Sequence, residues 1–152
     1  MYTLWDLGSV LIELCTPDSE LRKSYLFNIP CLKDLIETED ENINSCIKTR
    51  DDVIDNYTQS WDHSIYGSAD MNLRMDRDCM RNAYLLACIA DKTKESCGEA
   101  TSNLILDILK RSNALKWIDC RQEKIEELNT KFLDYLKLNG DKRKIFSSVF
   151  GG

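Results

Sequence analysis

Leu4, Leu7, Leu11 and Leu14 recur at three- and four-residue steps, which puts them on one face of a first helix. Thr16-Pro17-Asp18 then reads as a helix start: Thr caps, Pro takes the first helical position, and Asp meets the positive end of the dipole. That second helix is short, carrying Leu21, Tyr25 and Leu26, before Pro30 restarts the chain and Cys31, Leu32, Leu35 and Ile36 continue the spacing. Beyond the acidic stretch 37–41, Ile43, Cys46, Ile47, Ile54, Tyr57 and Trp61 run down one side of a longer helix, which Tyr66-Gly67-Ser68 breaks. The spacing predicts a helix from Asp76 to Ile89, a polar turn from Asp91 to Ser96, and a helix from Cys97 to Arg111 with Ala100, Leu104, Ile105, Ile108 and Leu109 inward. Ile118, Ile125, Leu128, Phe132, Leu133 and Leu136 mark a last helix that ends at Asn139-Gly140. No run alternates Val, Ile and Thr in the manner of a strand. The expected fold is an all-α, disulfide-linked bundle of five to seven helices. Residues 1–140 make a single cysteine-rich helical domain, and 141–152 a C-terminal tail.

Seven cysteines in 152 residues change the picture most. Cys15, Cys31, Cys46, Cys79, Cys88, Cys97 and Cys120 include no closely spaced pair of the kind a structural zinc site uses, and His63 is the only histidine. A disulfide framework made in an oxidising compartment is the favoured reading; a cytosolic chain with reduced core cysteines is the competing one. Helical geometry narrows the pairing. Cys79 and Cys88 are nine residues apart on one predicted helix, hence on opposite faces and about 13 Å apart along its axis. A disulfide needs Cα atoms within about 7 Å, so each must reach a different element, and their helix is central. Cys88 and Cys97 flank the predicted turn and can close a helical hairpin. Met1 is followed by a segment without a basic start or a small-residue cleavage site, so a secreted reading requires that a signal has already been removed. Asn56-Tyr57-Thr58 is an N-glycosylation sequon, with Asn56 the acceptor.

Three stretches carry a family likeness: Leu14-Cys15-Thr16 before a short charged helix, Ile29-Pro30-Cys31-Leu32-Lys33, and Cys79, Cys88-Ile89, then Lys94-Glu95-Ser96-Cys97-Gly98-Glu99-Ala100, followed by Cys120. From Cys15 to Cys120 the chain resembles a large family of secreted, cysteine-rich helical domains of unknown function, expanded in nematodes and arachnids, the nineteenth catalogued domain of that kind. The resemblance implies an extracellular location and a binding or structural role, and it brings no catalytic residue or cofactor. Members commonly carry further cysteines before the position of Cys15. That pattern implies an N-terminally trimmed chain, with three intrachain disulfides among Cys31, Cys46, Cys79, Cys88, Cys97 and Cys120 and with Cys15 the odd one. Insect odorant-binding proteins share the Cys-x8-Cys spacing of Cys79–Cys88 and Cys88–Cys97 but add a Cys-x3-Cys that is missing here, so that likeness is one of architecture.

The remaining chemistry is thin. Asp62-His63-Ser64 cannot make a triad, because adjacent helical residues point in different directions. No nucleophile elbow, zinc-protease, P-loop or EF-hand pattern occurs. No cofactor is expected. No apolar run reaches the 18–20 residues of a membrane span, and a net charge of −6 argues against nucleic acid as a partner. Residues 34–55 hold eight acidic and two basic side chains, whereas Asp141-Lys142-Arg143-Lys144 is net positive, so copies can associate head to tail. Ile145, Phe146, Val149 and Phe150 read as exposed groups that insert into a neighbouring groove. The expected function is therefore non-enzymatic: a secreted binding or structural protein acting through a protein partner or self-association. The alternative is an extracellular carrier of a small apolar ligand, which a cavity lined by Met71, Met75, Tyr84, Leu104 or Ile108 would favour.

Overall fold

The computed structural model describes residues 2–37, 41–61 and 71–151. Every regular element among them is helical: α1 (Tyr2–Cys15), α2 (Glu20–Glu37), α3 (Glu41–Thr58), α4 (Met71–Cys97), α5 (Glu99–Arg111), α6 (Ala114–Trp117), α7 (Gln122–Glu127), α8 (Leu133–Tyr135) and α9 (Gly140–Val149). A π-helical turn, Leu128–Phe132, joins α7 to α8 without a break. The architecture is a disulfide-linked all-α bundle.

Helix α4 is the axis of the molecule. Cys79 bonds to Cys120 ahead of α7, and Cys88 bonds to Cys46 on α3. The two cysteines lie on opposite faces, as nine residues of α-helix require. At the end of α4, Cys97 bonds to Cys31 on α2. All three disulfides thus converge on one helix, which packs against α3, α5 and α9. Ala83, Ala87 and Ala90 on α4 are fully buried, and their small side chains let these neighbours approach closely.

The expected turn at 91–96 is helix instead, because Asp91 and Thr93 are polar residues turned inward. Thr93 satisfies its hydroxyl by donating to the Ile89 carbonyl at 2.7 Å. The reversal is made one step later by Gly98 alone, at φ +91°, a conformation that L side chains rarely adopt. Cys88 and Cys97 therefore share a helix and do not close a hairpin. Two other expected boundaries move. Ser19, and not Thr16, caps α2, its Oγ accepting from the Arg22 N–H at 3.1 Å. Pro30 lies inside α2 and does not restart it; the missing N–H leaves the carbonyl of Leu26 without its helical donor.

The C-terminal segment requires the largest correction. Residues 140–149 form α9, for which Asn139 is the N-cap residue and not the end of a preceding helix. Ile145, Phe146, Val149 and Phe150 are core residues, with Phe146 and Phe150 at 1% and 0% exposure. Phe150 packs against Phe132 and Phe146 at ring-centre distances of 5.8 and 5.9 Å, and Tyr84 packs against Phe146 at 5.8 Å. The period of these residues was visible, but the groove they fill is built by α4 and the π turn, which no local pattern announces.

Candidate association surface

Helices α1 and α2 form a hairpin laid on α4 and α5 around a small second core of Val10, Leu21 and Leu104, with Leu14, Tyr25 and Ile108 packed beside it. Polar contacts fix its register. Asn28 on α2 accepts the Thr101 hydroxyl at 2.7 Å in a buried position, and Arg22 donates to the Leu14 carbonyl at 3.0 Å. The Cys31–Cys97 disulfide ties the hairpin to the end of α4.

Only two of the fourteen residues of α1 are charged, Asp6 and Glu13, and both are engaged by the body of the protein. Asp6 accepts from Asn113 Nδ2 at 3.2 Å, and Glu13 pairs with Arg111 at 2.6 Å. Glu13 and Asp107 together hold the Arg111 guanidinium above its ordinary pKa. The opposite side of α1 carries no charge. At 100° per residue, Trp5, Gly8, Leu11, Ile12 and Cys15 fall within about 120° of one another, across the helix from Val10 and Leu14. Trp5 is 78% exposed, Ile12 70% and Leu11 51%. The sequence reading placed Leu11 inward with Leu7 and Leu14; Val10 is what reaches the core. A shallow groove of about 500 Å³ lies at the edge of this stripe, lined by Trp5, Gly8 and Ile12 on one flank and by Ser9, Glu13, Thr16 and Ser19 on the other. Cys15, at the end of the stripe, is a free and exposed thiol.

The other sequence-predicted groups are scattered. Asn56 is exposed on α3, while Thr58 of its sequon is buried. The acidic residues Asp34, Glu37, Glu41, Asp51, Asp52 and Asp55 are all exposed, and a hydrogen bond from Arg50, aided by the charge of Arg81, holds the Asp51 carboxyl low. His63 and the break at 66–68 lie outside the described residues, as does 38–40 of the acidic stretch. Of the four charges at the start of α9, three are paired within the molecule, and Lys144 is exposed. Asp141 pairs with Lys94 at 3.0 Å, Lys142 with Asp91 at 3.9 Å, and Arg143 with Asp134 at 2.9 Å.

Among the described residues, no three His, Cys, Asp or Glu side chains gather as a metal site, and no helix is long and apolar enough to cross a membrane. No family model matches the chain, and no curated protein and no solved structure is significantly similar to it. The likeness to the secreted cysteine-rich family accordingly rests on the spacing and residues quoted above.

Proposed function

We propose that this chain is a secreted, non-enzymatic protein that works by protein–protein association, with the outer side of α1 as its contact surface and a second copy as the occupant. The observation that carries this reading is that α1 is apolar on both sides while only one side is covered. An exposed apolar patch of this kind marks an interaction site. The stripe suits an isologous contact, in which the same patch meets itself. Being uncharged, it brings no like charges together, whereas two acidic α3 faces would repel across such an interface. Three disulfides and the absence of a membrane-crossing helix among the described residues support an extracellular setting.

Sedimentation velocity over a concentration series tests the association. The expected result is a reversible dimer that the double change Trp5→Ser, Ile12→Ser converts to monomer with unchanged helical content. Wild type that stays monomeric throughout overturns self-association and directs the search to a different protein partner. For the compartment, the test is thiol counting after purification with an alkylating agent from the natural source. Six or seven free thiols would contradict secretion.

A further inference from the structure

A second concavity, on the far side of α5 from the hairpin, has a different character. Its volume is about 410 Å³, within the range of small-molecule sites. It exists because the chain reverses at Asn113, held in the left-handed region at φ 57°, into a helix of only four residues. Helix α6 is too short to fill the space between α5, α7 and α9. The walls carry an apolar strip of Leu86, Leu109, Ala114, Leu115, Ile125 and Val149, beside the polar side chains of Asn113, Gln122 and Ser148. None of Met71, Met75, Tyr84, Leu104 or Ile108 lines it, so it is not the cavity the sequence suggested.

The charge of this cleft runs against that of the chain. In a protein of net charge −6, no acidic residue lines it, and its charged lining groups are Lys110 and Lys116. Both are exposed, and neither forms an ion pair among the described residues. An apolar trough with two ammonium groups matches a molecule that has a hydrocarbon chain and one negative end.

We propose that the cleft between α5, α6, α7 and α9 is a binding site for a single-chain amphipathic anion of the fatty-acid class, its chain against Leu86, Leu109, Ile125 and Val149 and its carboxylate toward Lys110 and Lys116. Transfer of a hydrocarbon chain from water sets the affinity, so each added methylene tightens binding about threefold to fourfold until the cleft is full. The lysines add selectivity for the anion over an uncharged chain of equal length, and that part weakens with salt.

Isothermal titration of the intact protein with octanoate, decanoate and uncharged 1-decanol tests this. The expected result is saturable binding at one site, tighter for decanoate than for octanoate. The double change Lys110→Glu, Lys116→Glu should weaken decanoate at least tenfold at low salt and leave 1-decanol unchanged. Ala114→Trp, which fills the cleft, should abolish both. Should Ala114→Trp fail to fold, methyl shifts of Leu109 and Val149 on decanoate addition to wild type locate the ligand instead. No saturable binding overturns the proposal. So does equal binding of decanoate by wild type and the lysine variant, or loss of binding in the Trp5→Ser, Ile12→Ser variant with the cleft intact.

Discussion

Tyr57 on α3 donates its phenolic proton to Glu127 at the end of α7, with Oη 2.8 Å from Oε2 across seventy residues of sequence. The same carboxylate oxygen accepts from Trp61 Nε1 at 3.0 Å, and Lys124 reaches the other oxygen at 3.0 Å while lying 4.3 Å over the Trp61 ring. The group is a clasp between α3 and α7, next to the π turn, and its polar atoms partner one another. Tyr57→Phe should therefore cost about 1.5 kcal/mol of stability, the value of a hydrogen bond to a charged group, read from urea unfolding at pH 7.

The same pair gives a pH signature. Burial first, then the hydrogen bond to Glu127 and its negative charge, push the Tyr57 phenol above its ordinary value. With the folded pKa above the unfolded one, the contribution is complete below pH of about 10 and is lost as pH rises beyond it. Stability measured from pH 8 to 11 should fall more steeply for wild type than for Tyr57→Phe.

Asp76 is fully buried and receives two bonds from Arg121, Nε at 3.0 Å and Nη2 at 2.5 Å. Arg121→Met should cost about 3 kcal/mol, at the low end for a broken buried pair because the Arg121 side chain is 43% exposed to water. Adding Asp76→Leu should restore most of the loss. A double variant no more stable than Arg121→Met would show that Asp76 is held by other groups.

Removing the Cys79–Cys120 bridge by the double change to Ala should cost about 4 kcal/mol, from a closed loop with a sequence separation of 41. Cys15→Ser, at an exposed free thiol, should leave monomer stability unchanged. Non-reducing peptide mapping checks the pairing itself: a peptide joining Cys88 to Cys97 would contradict the helix that contains both.

Deleting 141–152 should unfold the protein, since that segment supplies two nearly inaccessible phenylalanines to the core. Phe146→Ala alone should cost about 3–5 kcal/mol by thermal or urea unfolding. Full retention of helical content after the deletion would mean that α9 is dispensable.

Burial also raises the Asp91 carboxyl, opposed mainly by Lys142. The shift favours the protonated form, so this contribution to stability is fully present below the unfolded value and is lost as pH rises through the raised one. Asp91→Asn should stabilise the protein at pH 7 and have no such effect at pH 3.

What the residues determined alone was everything that follows from local period and from rigid helical geometry. The helical character of the described residues, the long α3 pattern from Ile43 to Trp61, and the separation of Cys79 from Cys88 onto two faces are consequences of 3.6 residues per turn, which needs no partner to operate. The outer face of α1 was legible in part, since its sequence holds two charges, yet Leu11 and Val10 exchanged roles because apolar residues flank the two charges on both sides and give no preferred inner face. Only the tertiary structure decided which side is covered, that Asp91 and Thr93 turn inward, and that Phe146 and Phe150 are core. The two pockets likewise belong to it: one beside a helix left uncovered, one where a four-residue helix leaves space. Burial is a property of a residue and its neighbours together, and those neighbours come from elements up to a hundred residues away.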